Sequence, residues 1–356
     1  VGEIVLLVGG KRYRGWTSAR VTRSIESVSG SFSVEVVERW SGQAEPWPIF
    51  EEDPVRVEVD GEPVIDGYVE QRMVLLEESN RSVTITGRDR AGALVDCSAD
   101  LTAWTFRQKS VLDIARKLAA PFGIKVTSKA GMVPKVPKLV VNPSDTAWSV
   151  ISRAAKMAGV LVVSDGSGNL VLTRSGTDRA SALIEGQNAL SLQGAYDATQ
   201  RFSQYTVLTQ TPGTGKAAGS RVRARATDEG VRRHRPLIIR PESGMSTAYA
   251  RRRADWEART RAARADAVTI GVAGWRQADG DLWIPNARCP VTAPALTIQG
   301  EMLISQVEYS IDAGGEVATI SLVRPDAFTP EPQLAKVKRS GESFIEWRDP
   351  SVRPTK

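Results

Sequence analysis

The sequence predicts an α+β chain that is mainly β. It comprises two similar antiparallel β domains of barrel type, an α+β insert between them, and an extended C-terminal tail. Three observations predict this. The first is an internal repeat: Trp40, Trp47, Pro54-Val55, Gly61-Glu62 and the run Val83 to Asp89 are echoed by Trp275, Trp283, Pro290-Val291, Gly300-Glu301 and the run Val317 to Asp326. The interval from Trp47 to Pro54 equals that from Trp283 to Pro290, while the other spacings drift as hairpin loops do. The second is a change of hydrophobic period, from two to 3.6 near residue 91 and back near residue 177. The third is the stretch 326–356, where prolines at 330, 332, 350 and 354 interrupt mixed charge and no periodicity survives. The domains expected are therefore 1–90, 91–176, 177–325 and a tail 326–356.

In the first segment, Glu3 to Val8 and Lys11 to Trp16 flank Gly9-Gly10, a two-residue hairpin signal. Phe32, Val34 and Val36 alternate with polar neighbours, as do Val55, Val57 and Val59, which marks half-buried strands. Asp60-Gly61 turns the chain into a strand from Val64 to Met73, and the polar turn Glu77-Glu78-Ser79-Asn80 precedes a last strand, Ser82 to Gly87. Five or more short strands with tight turns favour a barrel or sandwich.

In the insert, Ser110 is placed to cap a helix with Val111, Ile114, Ala115 and Leu118 on one face, stopped by Pro121-Phe122-Gly123. Ser144 or Asp145 is expected to cap a second helix carrying Trp148, Ile151, Ala155 and Ala158, ended by Gly159. Val160 to Val163 and Leu170 to Thr173 form a hairpin around Asp165 to Asn169. Strands follow near Phe202 to Thr209, Ser220 to Ala226 and Pro236 to Arg240, then a long helix, 247–265, and the second repeat copy from Val268 to Arg324.

At 356 residues, with 41% hydrophobic and 25% charged residues, the chain has room for several cored domains. No apolar run approaches the roughly 20 residues of a membrane helix, and Ile4 to Val8, behind Glu3, has neither the length nor the flanks of a signal peptide. Cys97 and Cys289 lack ligand spacing and are expected as free, partly buried thiols in a reducing compartment. With one histidine and no CxxC, no metal or other cofactor is expected.

Candidate chemistry is sparse, and no catalytic, cofactor-binding or metal-binding residue is assigned. His234 lies among Arg232, Arg233 and Arg235, with no nucleophile patterned for it to activate. Gly213-Thr214-Gly215-Lys216-Ala217 lacks the first glycine and the terminal hydroxyl of a phosphate loop and reads as a hairpin tip. Glu51-Glu52-Asp53 reads as a solvated loop rather than an acid–base pair. Asp145-Thr146-Ala147-Trp148 is similar to the opening of a LysM-type wall-binding module, although a capped helix start explains it as well. The net charge of +6 comes from arginine clusters at 221–225, 232–235 and 251–264. Acids interleave the last of these (Arg251 with Asp255, Arg253 with Glu257, Glu257 with Arg261), which favours a helix surface over a phosphate track. Of the nine tryptophans, Trp148 and Trp256 are expected in cores, while Trp40, Trp47, Trp275 and Trp283 share one structural role in the two copies.

Across nearly the whole chain the sequence resembles the Mu-like, late control protein D-type, baseplate hub family of contractile phage tails. The resemblance rests on 8–16 (Val-Gly-Gly-Lys-Arg-Tyr-Arg-Gly-Trp), Arg23-Ser24-Ile25-Glu26, Gly30-Ser31-Phe32, Gly67-Tyr68-Val69 and Gly87-Arg88-Asp89. Further along it rests on Pro121-Phe122-Gly123-Ile124, Arg235 to Ile239, Arg253 to Glu257, Gly274-Trp275-Arg276 and Asp281 to Asn286. It implies two tube-like β-barrel domains per chain and a homotrimer that joins a hexameric tail tube to a trimeric central spike. It also implies tube, distal-tail or baseplate partners, no enzymatic activity and no small-molecule substrate, and nucleic acid only by passage through the lumen. The place implied is the virion tail, assembled in the host cytoplasm. A peptidoglycan-binding or wall-processing tail protein is the alternative that Asp145 to Trp148 offers.

Overall fold

The structure, a computed structural model, describes residues 2–37, 48–76, 81–210, 221–241 and 246–332. Trp40, Trp47, the Glu77 to Asn80 turn, the Gly213 to Ala217 loop and the tail beyond 332 lie outside the described residues. The chain divides into two compact units: Val1–Gln193 with Val268–Leu322, and Gly194–Ala267 with Val323–Lys356.

The first unit is organised by one fourteen-stranded sheet. Alternation places its strands: Val55, Val57 and Val59 are buried while Pro54 and Arg56 point to solvent. Gly9 and Gly10 (φ 57° and 77°) and Asp60 and Gly61 (φ 50° and 80°) provide the left-handed pairs that tight hairpins require. In the first repeat copy the strand order runs Ser31–Val37, Arg81–Asp89, Glu62–Leu76, Pro54–Val59, Ile4–Val8. In the second it runs Asp266–Ala273, Gly315–Val323, Ile298–Asp312, Ala287–Ala293, with Asp178–Arg179 and Leu183–Ile184 at the last position. The two copies share this order. They differ at its end, where Ile4–Val8 pairs antiparallel and the two short strands pair parallel.

The copies are joined edge to edge. Ser18–Ser24 pairs antiparallel with the far half of Ile298–Asp312, from Gln306 opposite Ser24 to Ile311 opposite Ala19. One hydrophobic core then runs through both copies, from Ile4, Val34, Ile65 and Ile85 to Trp275, Trp283, Ile304 and Ile320. This modifies the fold expectation. The mainly-β, α+β class stands, but pairing among the described strands closes neither copy into a barrel. The copies are joined instead through Ser18–Ser24 and the far half of Ile298–Asp312.

The insert has a core of its own, formed by helices Val111–Ala119 and Ala147–Ala158 against two small sheets. Ser110 caps the first helix, accepting from the Asp113 N–H at 3.0 Å, and Gly123 and Gly159 end the two helical segments with φ 66° and 67°. The second helix departs from expectation, because its cap is Thr146, accepting from the Ser149 N–H at 3.2 Å. Asp145 instead accepts from the Asn142 N–H at 2.8 Å and pairs with Arg153 at 2.5 Å.

In the second unit, Gln204–Gln210 is flanked by antiparallel Arg221–Thr227 and parallel Pro236–Ile239, which form a three-stranded sheet. Helix Thr247–Arg264 covers one face, burying Tyr249, Ala250 and Ala254 against Val207, Val222 and Ala224. The predicted tail does not begin extended: Pro325–Phe328 forms a 3₁₀ turn.

Gly67 and Gly87 stand where two paired strands of the first copy leave no room for a Cβ. A Cβ on Gly87 would meet the Tyr68 carbonyl and lie 2.7 Å from the Phe32 ring. Gly87→Ala is therefore expected to destabilise the first unit by about 1–3 kcal/mol, the usual cost of overpacking, read as a lower urea midpoint at unchanged slope.

Candidate functional site

The residues weighed as chemical candidates are scattered. His234 is exposed in the connection after Arg221–Thr227, and no group of three or more metal-ligating side chains exists among the described residues. Asp53 closes its own turn by accepting from the Phe50 N–H at 2.8 Å, while Glu51 and Glu52 face solvent. The cysteines are both free but dissimilar: Cys97 is exposed, contrary to the expectation of partial burial. Cys289 is buried, and desolvation pushes its thiol up to about 12, which keeps it protonated and unreactive. Trp148, half-buried, packs against the insert core, so the Asp145 to Trp148 segment is a helix start and not an open aromatic platform.

What the structure does build are junctions. Asp89, 3% exposed, ends the last strand of the first copy and ties three segments together. Its Oδ1 accepts from the Ser29 hydroxyl at 2.8 Å and the Ala91 N–H at 3.0 Å. Its Oδ2 accepts from the Gly30 N–H at 3.0 Å and the Ser164 hydroxyl at 2.6 Å. Ser164 belongs to the insert hairpin, so this one carboxyl docks the insert on the sheet. Burial raises its pKa and the four donors oppose that rise without cancelling it. Nearby, Arg88 bridges Glu70 and Asp96. Between the copies, Arg276 of the second reaches Asp60 at 3.3 Å and Glu62 at 2.6 Å in the first. In the sequence, Gly87-Arg88-Asp89 and Gly274-Trp275-Arg276 stand out only as marks of the family resemblance. The neighbours of these residues are distant along the chain, so nothing local revealed their part in the junctions.

Tryptophan roles also separate. Trp275 and Trp283, each 1% exposed, are core anchors of the second copy, with the Trp275 Nε1 donating to the Ser310 carbonyl at 3.1 Å. Trp256 is not a core residue as expected: half-buried, it donates to the Thr329 carbonyl at 2.8 Å. Arg264 donates to the Ala327 carbonyl at 2.9 Å, the Tyr249 hydroxyl to that of Pro332, and Arg253 pairs with Glu331. The helix thus grips the chain from 327 to 332.

Most of the arginine excess in this helix is engaged. Glu257 sits between Arg253 and Arg261, both at 2.8 Å, as its i,i+4 spacing predicted, whereas Arg251 and Asp255 are exposed and form no ion pair among those described. Arg235 and Arg261 stack on Phe202 at 5.1 and 5.7 Å. Arg221, Arg223 and Arg225 alternate outward on an edge strand. Such arginines are structural fasteners and surface charge more than a continuous phosphate track.

With this geometry in hand, relatives identify the chain. Four family models match parts of the chain in order: a Mu phage baseplate assembly protein GpP-like N-terminal domain over 3–89, and a baseplate hub protein gp44-like second domain over 91–174. A tail protein NMB1110-like third domain follows over 201–256 and a Mu GpP fourth domain over 246–331. The baseplate hub protein gp44 of Escherichia phage Mu is 32% identical over 96% of this chain and 93% of its own. The chain belongs to the Mu-type baseplate hub family. A 43 kDa tail protein of prophage MuSo2 from Shewanella oneidensis superposes with a TM-score of 0.83, at 36% identity, covering 92% of this chain and 99% of that one. A tail protein of Neisseria meningitidis MC58 shares the fold with a TM-score of 0.79 at 24% identity, covering 93% and 98%. The hub is accordingly a structural component of the virion tail and not an enzyme.

Two expectations follow for the hub's junctions. Asp89→Asn places an amide N–H against backbone donors and is expected to cost about 1–3 kcal/mol, measured by urea denaturation. For Glu257, burial raises the carboxyl and the two arginines more than offset it, so its pKa lies below the ordinary value. A depressed acid stabilises the fold above the unfolded pKa of about 4.3, and that contribution is lost as pH falls through the lower folded value. Hydrogen-exchange protection across 247–264 and 325–332, taken relative to the intrinsic rate at each pH, should therefore fall below about pH 4, and Glu257→Gln should show the lower protection already at neutral pH.

Proposed function

We propose that this hub works as a homotrimer that matches a sixfold tail tube to a threefold central spike. Three chains present six repeat copies, which gives near-sixfold contacts on one side while the assembly keeps true threefold symmetry for the other. In this reading each copy is one barrel-like module of the ring, and the unrepeated parts, 91–174 and 194–267, supply the threefold features. The observation that carries the reading is the common strand order of the two copies, joined edge to edge inside one chain. A gene segment that folds twice into the same topology makes two near-equivalent building blocks, which a threefold object meeting a sixfold one requires.

No observation favours the wall-binding alternative, since Trp148 is held on the insert core and Asp145 is spent on Asn142 and Arg153. The mechanism is geometric matching over extended subunit interfaces, with nucleic acid meeting the hub only in transit.

Native mass spectrometry of the purified chain is the direct test. Three-chain particles at micromolar concentration are expected, with a spike trimer adding as one further body. A chain that stays monomeric and ignores the spike would overturn the proposal.

A further inference from the structure

The seam between the copies leaves a definite remainder. In the second copy, Ile298–Asp312 pairs with Ala287–Ala293 through its first half, as far as Leu303 opposite Arg288. From Gln306 onward its edge is taken by Ser18–Ser24. The join is reinforced by Arg20 with Glu308 at 3.3 Å, by the Ser24 hydroxyl donating to the Ser305 carbonyl at 3.1 Å and by the Ile25 N–H donating to the same carbonyl at 2.9 Å.

In the first copy the equivalent strand, also of fifteen residues, is Glu62–Leu76. Its first half pairs with Pro54–Val59 as far as Tyr68, and Val69 exchanges hydrogen bonds with Glu52 and Asp53 at 2.8 and 3.0 Å. From Gln71 to Leu76 it pairs with Arg81–Asp89 on one side only, and its other edge has no strand partner among the described residues. This is the half that carries exposed apolar side chains, Met73, Val74, Leu75 and Leu76, the last of them 62% exposed.

The second copy has the matching gap. Ser18–Ser24 lies beside Ser31–Val37, the counterpart of Asp266–Ala273. The strand beside Asp266–Ala273 is Ser191–Tyr196, entered by the Leu190 N–H donating to the Gly271 carbonyl at 2.7 Å, and among the described residues it ends the sheet. Exposed large side chains mark it too, Leu190 just before it at 65% and Tyr196 at its end at 57%. Among the described strands, each chain therefore contains one completed seam and both halves of a second that no other strand joins.

We infer that the edge Gln71–Leu76 of one chain pairs antiparallel with Ser191–Tyr196 of a second copy of this chain, repeating between chains the seam that Ile298–Asp312 and Ser18–Ser24 make within one. The occupant follows from the repeat, because the partner that fits the first edge in the other copy is the counterpart of the second edge. Unpaired apolar strand edges invite added strands, and here both edges are supplied by the chain itself. The contact is heterologous, with different surfaces meeting, and it closes only if the turn per chain divides a full rotation. The inference rests on the homotrimer reading and adds to it the strands that would hold the ring.

Paired cysteines test it in the full chain with Cys97→Ser removing the exposed thiol. Met73→Cys, Val74→Cys or Leu75→Cys is combined with Leu192→Cys or Gln193→Cys, since facing residues across antiparallel strands bring Cβ atoms to about 4.5–5.5 Å. Mild oxidation should convert at least one pair into a covalently closed three-chain species, while each single-cysteine chain stays uncrosslinked. In the chain without new cysteines, amides of 71–76 and 191–196 should exchange at least about tenfold more slowly in the assembled state than after dilution to monomer. Three-chain particles that neither cross-link at any pair nor protect these strands would overturn this seam and leave the homotrimer standing. A chain monomeric at every concentration would overturn both.

Discussion

The edge-to-edge pairing of Ser18–Ser24 with Ile298–Asp312 is the constraint around which the rest of the molecule is arranged. It brings together strands nearly three hundred residues apart and merges two repeat copies into one sheet with one core. Once that pairing forms, the unrepeated segments between the partners leave the sheet and return to it. The insert leaves after Asp89 and returns before Asp178, and the second unit leaves after Gln193 and returns at Val268. Such excursions are inexpensive because closure entropy grows only slowly with loop length. A repeat protein can thus carry unrepeated domains without disturbing the repeat.

Polar side chains then fix how the excursions dock. Asp89 is the clearest case: a buried carboxyl holds donors from its own copy, from the connection to the insert and from the insert hairpin. Buried charge is costly unless its hydrogen bonds are satisfied, and this one has four donors. Within the second unit, Glu257 is held between Arg253 and Arg261 of its own helix, while Trp256 and Arg264 hold the carbonyls of Thr329 and Ala327. The arginines that give the chain its positive charge are in good part these fasteners, which is why the charge did not signal nucleic acid.

Exposed apolar edges acquire a different meaning in an assembly than in a free monomer. A monomeric β protein protects its edges with charge, bulges or short strands. Here Met73 to Leu76, on a half-strand paired on one side only among the described residues, and Leu190 and Tyr196, beside the last strand of the sheet, leave large side chains exposed where the internal seam uses the same kind of edge. For a hub that functions only within a tail, unprotected edges are consistent with subunit contacts rather than with instability of the fold.

Local features were legible in the residues alone. Alternation at Val55, Val57 and Val59, the turns at Gly9-Gly10 and Asp60-Gly61, the Ser110 cap and the Gly159 stop each depend on neighbours within a few positions, and each stands where expected. The repeat, read from tryptophan and proline spacing, likewise surfaces as a shared strand order, although two of its four tryptophans lie outside the described residues. Tertiary structure alone decided which edges meet, that Gln204–Gln210 belongs to a separate sheet, that Thr146 rather than Ser144 or Asp145 caps its helix, and that Trp256 grips the chain after Phe328. The physical reason is that every strand edge presents the same backbone donors and acceptors. Composition and period therefore determine that a strand forms and which face it buries, while its partner is chosen by packing among segments that only the folded chain brings together.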